Sequence, residues 1–104
     1  MTISELKEIL SAEIVVDGGK TAEGVYVGDF LSRVMGKAPA GCVWLTIMNN
    51  VNVAGVATLA EIGAIVLCEG VKPTPELTER CRDESISLMT TDLSAYDACL
   101  RLGN

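Results

Sequence analysis

The chain has 104 residues, 49% of them apolar and only 4% aromatic, with a formal net charge of −6. That length holds one domain and not two. It buries roughly two-thirds of the unfolded surface, enough for a core without covalent staples. The acidity weighs against nucleic acid, whose affinity comes mostly from Lys and Arg on phosphates, and against an anionic membrane surface.

Thr2 opens the first helix. Ile3, Leu6, Ile9 and Leu10 keep helical spacing, and Glu5 stands three residues past Thr2, the signature of a capping box. Residues 12–16 are an extended, β-rich run, and Asp17-Gly18-Gly19 is a turn signal. Residues 24–27 form a second extended run, broken at Gly28-Asp29. Asp29 is placed to cap a helix over residues 30–35, and Gly36 to close it.

Residues 42–47 (CVWLTI) are apolar on both faces, the clearest strand in the chain. Residues 51–62 favour helix through Ala54, Ala57, Leu59 and Ala60, with Gly63 as the stop. Residues 64–68 (AIVLC) are a further buried strand, turned by Glu69-Gly70. Thr74, Pro75, Glu76 and Glu79 announce a helix to about residue 84, since Pro suits the first position and acids suit the positive end. Residues 86–89 are a short strand, Thr90-Thr91-Asp92 is polar, and Ser94 caps a last helix through Leu102.

From residue 42 the pattern is β-α-β-α-β-α. Two strands buried on both faces and separated by helices predict an α/β single domain, a mostly parallel β-sheet flanked by helices. Residues 12–27 are expected to add a two-strand piece at one end. No stretch reaches the roughly 20 continuous apolar residues of a membrane helix. Residues 1–11 lack the apolar run of a secretion signal, so a cytoplasmic protein with reduced thiols is expected.

The catalytic inventory is thin. The chain has no His, the commonest general base and metal ligand. It has no G-x-S-x-G elbow, no Walker A and no G-x-G-x-x-G. The four cysteines include no C-x-x-C pair, so neither a zinc knuckle nor a redox dithiol is indicated. Cys42 and Cys68 read as small core hydrophobes, whereas Cys81 and Cys99, on helical stretches, are open to being surface thiols. No catalytic residue, metal ligand or cofactor is assigned. Trp44, mid-strand among apolar neighbours, belongs to the core or an interface, with its N–H partnered.

Ligands of open α/β sheets bind beyond the carboxyl ends of the parallel strands. Those ends select Gly28, Asp29, Asn49, Asn50, Gly70, Thr90 and Thr91 as candidate ligand-binding residues, with the helix after Asp29 offering N–H groups to an anion. Helix capping alone is the competing account of Asp29, Asn49 and Thr91.

The string from Val27 to Ala38 (VGDFLSRVMGKA), then Gly41 to Ile47 (GCVWLTI) and Asn52 to Ala57 (NVAGVA), resembles small DRTGG-like proteins over nearly the whole chain. The resemblance implies the fold of the HPr kinase/phosphorylase N-terminal domain, similar also to that of some Mur ligases. It implies a non-catalytic regulatory or ligand-sensing role, with some relatives placed beside iron hydrogenase or electron-transfer systems. The Asp-Arg-Thr-Gly-Gly string itself is absent. Residues 48–52 and 69–72 occupy the corresponding region. The function expected is therefore a non-enzymatic regulatory domain binding a small, anionic or nucleotide-like ligand at the strand ends. The alternative is a homodimeric subunit docking on a partner enzyme with no small ligand. A homodimer is expected in either case, with neither nucleic acid nor membrane as partner.

Overall fold

In the computed structural model, which describes residues 1–103, the first helix is α1 (Ile3–Leu10). The capping box is made as expected. Thr2 Oγ1 accepts from the Glu5 amide at 3.1 Å, and the Glu5 carboxylate accepts from the Thr2 amide at 2.8 Å. Those bonds hold the Glu5 carboxyl below its ordinary range. The chain continues through β1 (Glu13–Val16), β2 (Val25–Val27), α2 (Leu31–Lys37), β3 (Val43–Thr46), α3 (Asn52–Leu59) and β4 (Ala64–Leu67), then α4 (Pro75–Asp83), β5 (Leu88–Thr90) and α5 (Ala95–Leu102). Thr74 and Ser94 cap α4 and α5 as the sequence indicates.

The five strands form one sheet in the order β1-β5-β4-β3-β2. β2 to β5 are parallel neighbours in chain order, and β1 lies antiparallel on β5 with a bulge between Ile14 and Val16. The expected two-strand piece is therefore corrected: β1 and β2 occupy opposite edges, because each finds a better buried partner in β5 and β3 than in the other.

α2, α3 and α4 cover one face of the sheet, as crossovers of one hand stepping in one direction require. Val34, Val53, Val56, Leu77 and Cys81 pack there on Trp44, Ile65, Leu67 and Leu88. α1 and α5 cover the other face, with Ile3, Leu6, Leu10 and Ala98 on Val43, Leu45, Val66 and Met89. Residues 43–46 and 64–67 are buried throughout, which explains the apolar runs over 43–45 and 64–67. Trp44 is fully buried and its Nε1 donates to the Gly28 carbonyl at 2.8 Å.

Other local expectations are corrected. Gly36 lies inside α2, which ends at Ala38 in extended geometry. α3 ends not at Gly63 but on Glu61, left-handed at φ 56°. The Glu61 amide donates to Thr58 O and the Ile62 amide to Ala57 O, the paired bonds of a Schellman motif. Gly63 serves close packing instead: a Cβ there would lie 2.4 Å from the Gly41 carbonyl oxygen. Cys81 is fully buried on the inner face of α4 rather than a surface thiol, and Cys99 is half-buried. Among the described residues no helix is long and apolar enough to cross a membrane.

Candidate functional site

The parallel strands end together along one edge, at Val27, Thr46, Leu67 and Thr90. Every residue selected from the sequence lies on this edge, and the hydrogen bonds divide them into two groups.

The first group braces the edge. The Gly28 amide donates to Leu45 O at 3.2 Å, and its carbonyl receives the Trp44 indole. Asp29 does not cap α2, whose N-cap is Phe30 with no side-chain cap bond. Its Oδ1 instead accepts from the Thr46 hydroxyl at 2.7 Å and the Ile47 amide at 2.9 Å. Asn49 Nδ2 donates to Lys72 O at 2.7 Å, and Asn49 O accepts from the Thr74 hydroxyl. Asn50 Oδ1 accepts from the Asn52 amide, a local Asx turn at the start of α3.

The second group frames a cavity of about 170 Å³ between the β4–α4 turn and the β1–β5 pair. Its lining includes Ser11, Glu13, Gly70, Lys72, Thr90 and Asp92, with Thr91 beside them. Glu69 and Gly70 are both left-handed, at φ 58° and 73°. The turn they make sends the Gly70 amide to Thr91 O and the Glu69 amide to Leu93 O. A Cβ on Gly70 would meet Asp92 Oδ1 at 3.2 Å, so the missing side chain is what lets that carboxylate sit over the turn. Thr91 is occupied internally: its hydroxyl donates to Leu10 O at 2.7 Å and accepts from the Leu93 amide. Arg101 Nη1 donates to Ser11 Oγ at 3.0 Å, bringing a second cation beside the rim.

Ser11, Glu13, Lys72 and Asp92 are not singled out by sequence reasoning. They reach the site because β1 folds back onto β5, a pairing across more than 70 residues that no local pattern announces. Asp92 and Lys72 flank Thr91 and Gly70 in the chain, and that adjacency is the available signal.

A larger cavity, about 310 Å³, opens at the opposite edge among Lys20, Thr58, Glu61, Glu84 and Ser85. Its polar side chains are all exposed, at helix ends and in a loop, and its buried lining is apolar or glycine. Size alone favours it. The carboxyl-edge cavity differs in adding two buried threonines, Thr90 and Thr91, to the exposed Ser11, Glu13, Lys72 and Asp92. Among the described residues no three His, Cys, Asp or Glu side chains converge as a metal site.

No protein-family model and no curated protein sequence matches this chain. A solved structure does: the CBS and DRTGG domains of the regulatory region of Clostridium perfringens pyrophosphatase, complexed with the activator diadenosine tetraphosphate. It superposes on 97% of this chain with a TM-score of 0.82 at 14% identity. The match takes in 45% of that structure's chain, so the present chain spans less than half of it. The likeness establishes the α/β fold and supports the DRTGG-like resemblance drawn from the sequence. The structure matched belongs to the regulatory region of that protein.

Proposed function

We propose that this domain is a non-catalytic ligand sensor that takes a small nucleotide-like molecule at the carboxyl edge of β2 to β5. The observation that carries the reading is the concentration of Gly70, Lys72, Thr90 and Asp92 around one cavity at that edge, where open α/β sheets bind ligands. The similarity to a regulatory region complexed with a nucleotide activator supports the same class of role, and kinship with the HPr kinase/phosphorylase N-terminal domain belongs to this reading. The docking-subunit alternative has no comparable support.

A thermal-shift screen of the purified protein against nucleotides and sugar phosphates tests it. One chemical class is expected to raise the midpoint saturably, by the equivalent of about 2.7 kcal/mol at a hundredfold excess over Kd. An unchanged midpoint with every compound overturns the proposal.

A further inference from the structure

The two edges of the sheet are unlike. β1 is guarded in the ways sheet edges usually are: Glu13 stands on it, a bulge interrupts it between Ile14 and Val16, and Asp17 follows it. The β2 edge, Gly24 to Gly28 (GVYVG), has no charge, no proline and an unbroken register with β3. The Val43 amide donates to Gly24 O, and the Gly28 amide donates to Leu45 O. Those bonds fix the phase of the ladder. Gly24, Tyr26 and Gly28 bond inward to β3, while Val25 and Val27 aim their amides and carbonyls out of the sheet. Among the described residues nothing pairs with those groups.

The side chains beside this edge are apolar as well. Val25 and Val27 register with Val43 and Leu45, so they lie on the face that α1 and α5 cover. α1 packs beside β1, and α5 beside β2. α5 lays Ala98 and Leu102 on the sheet, and its Arg101 reaches the end of α1 at Ile9 O and Ser11 Oγ. Tyr96 and Leu100, one turn apart, therefore stand on the opposite flank of α5, above the β2 edge. Val25, Val27, Tyr96 and Leu100 are 36% to 71% exposed, and none is charged.

The partner that fits this edge is the edge itself, because GVYVG reads the same in both directions. Two copies related by a two-fold axis beside Tyr26 run antiparallel. Val25 of one copy then exchanges both its bonds with Val27 of the second copy, and Tyr26 faces its own counterpart as the close, non-hydrogen-bonded pair. Aromatic residues are favourable in that position. We infer that β2 is the seam of an isologous homodimer, in which two five-stranded sheets become one. A seam this short belongs to the interface class below about 1,200 Å² in total, so the dimer is reversible. The two-fold also brings Glu23 toward Asp29 of the second copy, so salt strengthens the dimer by screening that repulsion. The seam lies across the sheet from the β1–β5 cavity, leaves it open, and does not depend on the ligand-sensor reading.

The test is sedimentation of the full chain from micromolar to millimolar concentration, with amide exchange followed by NMR at both ends of the range. The mass is expected to rise from one chain to two. The Val25 and Val27 amides slow as it does, whereas Tyr26 and Gly28, already bonded to β3, exchange slowly throughout. Val25→Lys/Val27→Lys sets like charges opposite each other and weakens the dimer at least about tenfold. Leu59→Lys, on an exposed side chain of α3 in the other helix layer, leaves it unchanged. A single chain at every concentration leaves the edge to a strand of another protein and overturns the proposal. So does a dimer whose Val25 and Val27 amides exchange at an unchanged rate, one that salt weakens, or one that Leu59→Lys weakens as much as the valine pair does.

Discussion

Asp29 and Thr46 are joined by a 2.7 Å hydrogen bond between the carboxylate Oδ1 and the hydroxyl, and this contact ties the end of β2 to the end of β3. Thr46 is 2% exposed, so the carboxylate is the acceptor that makes its burial tolerable. Asp29→Ala is expected to lower stability by about 1–3 kcal/mol, the cost of an orphaned buried donor. Asp29→Asn retains a side-chain carbonyl acceptor and loses less. Urea denaturation of the two variants checks this, and equal midpoints for Asp29→Ala and the parent chain contradict it.

Two glycine substitutions are expected to act in opposite directions. Gly63→Ala drives a Cβ to 2.4 Å from Gly41 O and 2.8 Å from Ala22 Cβ, where two backbone segments already touch. Overpacking of this kind costs about 1–3 kcal/mol. Gly55 sits inside α3, and a methyl group added there would find nothing within 4 Å. Gly55→Ala therefore gains about 0.5–1 kcal/mol from helix propensity. Melting midpoints on opposite sides of the parent value are the expected result.

Glu61 and Ser85 end α3 and α4 in the left-handed region, at φ 56° and 55°. A side chain there costs roughly 1–2 kcal/mol, part of which glycine returns through its freer unfolded chain. Glu61→Gly and Ser85→Gly are each expected to stabilise by about 0.5–1 kcal/mol, raising the midpoint by several degrees in a domain of about 100 residues. Calorimetry of the single and double variants checks it, with additive gains because the two turns close separate helices.

These turns show where the sequence is legible and where it is not. Caps built from a residue and its third neighbour, at Thr2, Thr74 and Ser94, are local chemistry and can be read directly. So can the strands over residues 43–46 and 64–67, whose burial on both faces leaves apolar runs at 43–45 and 64–67. Gly36 and Gly63 mislead because a glycine stop and a glycine close contact look alike in one dimension, while Glu61 and Ser85 take the left-handed positions. Gly70, Thr90 and Thr91 follow from the rule for strand ends. Ser11, Glu13, Lys72 and Asp92 do not, because β1 pairs with β5 only once the intervening layers exist.

The buried thiols set an alkaline limit. Burial first, then the neighbouring Cys99, Glu69 and Asp29, raises the Cys68 thiol from 9.0 to about 11. Burial, then Glu84, raises Cys81 likewise to about 11. Between those values the unfolded chain has released protons that the folded chain keeps. Stability is therefore full below pH 9 and falls as pH rises through about 11. Urea midpoints measured on either side of pH 9 are expected to decline on the alkaline side, and the decline is shallower for Cys68→Ala/Cys81→Ala although that variant starts lower. Parallel declines contradict the assignment.

The most direct test of the ligand site is hydrogen–deuterium exchange of the full chain with and without AMP or diadenosine tetraphosphate. Protection confined to residues 11–13, 67–72 and 88–92 is the predicted result, because these segments enclose the carboxyl-edge cavity. Protection at Lys20, Glu61 and Ser85 on the opposite edge, or none anywhere at saturating nucleotide, contradicts it.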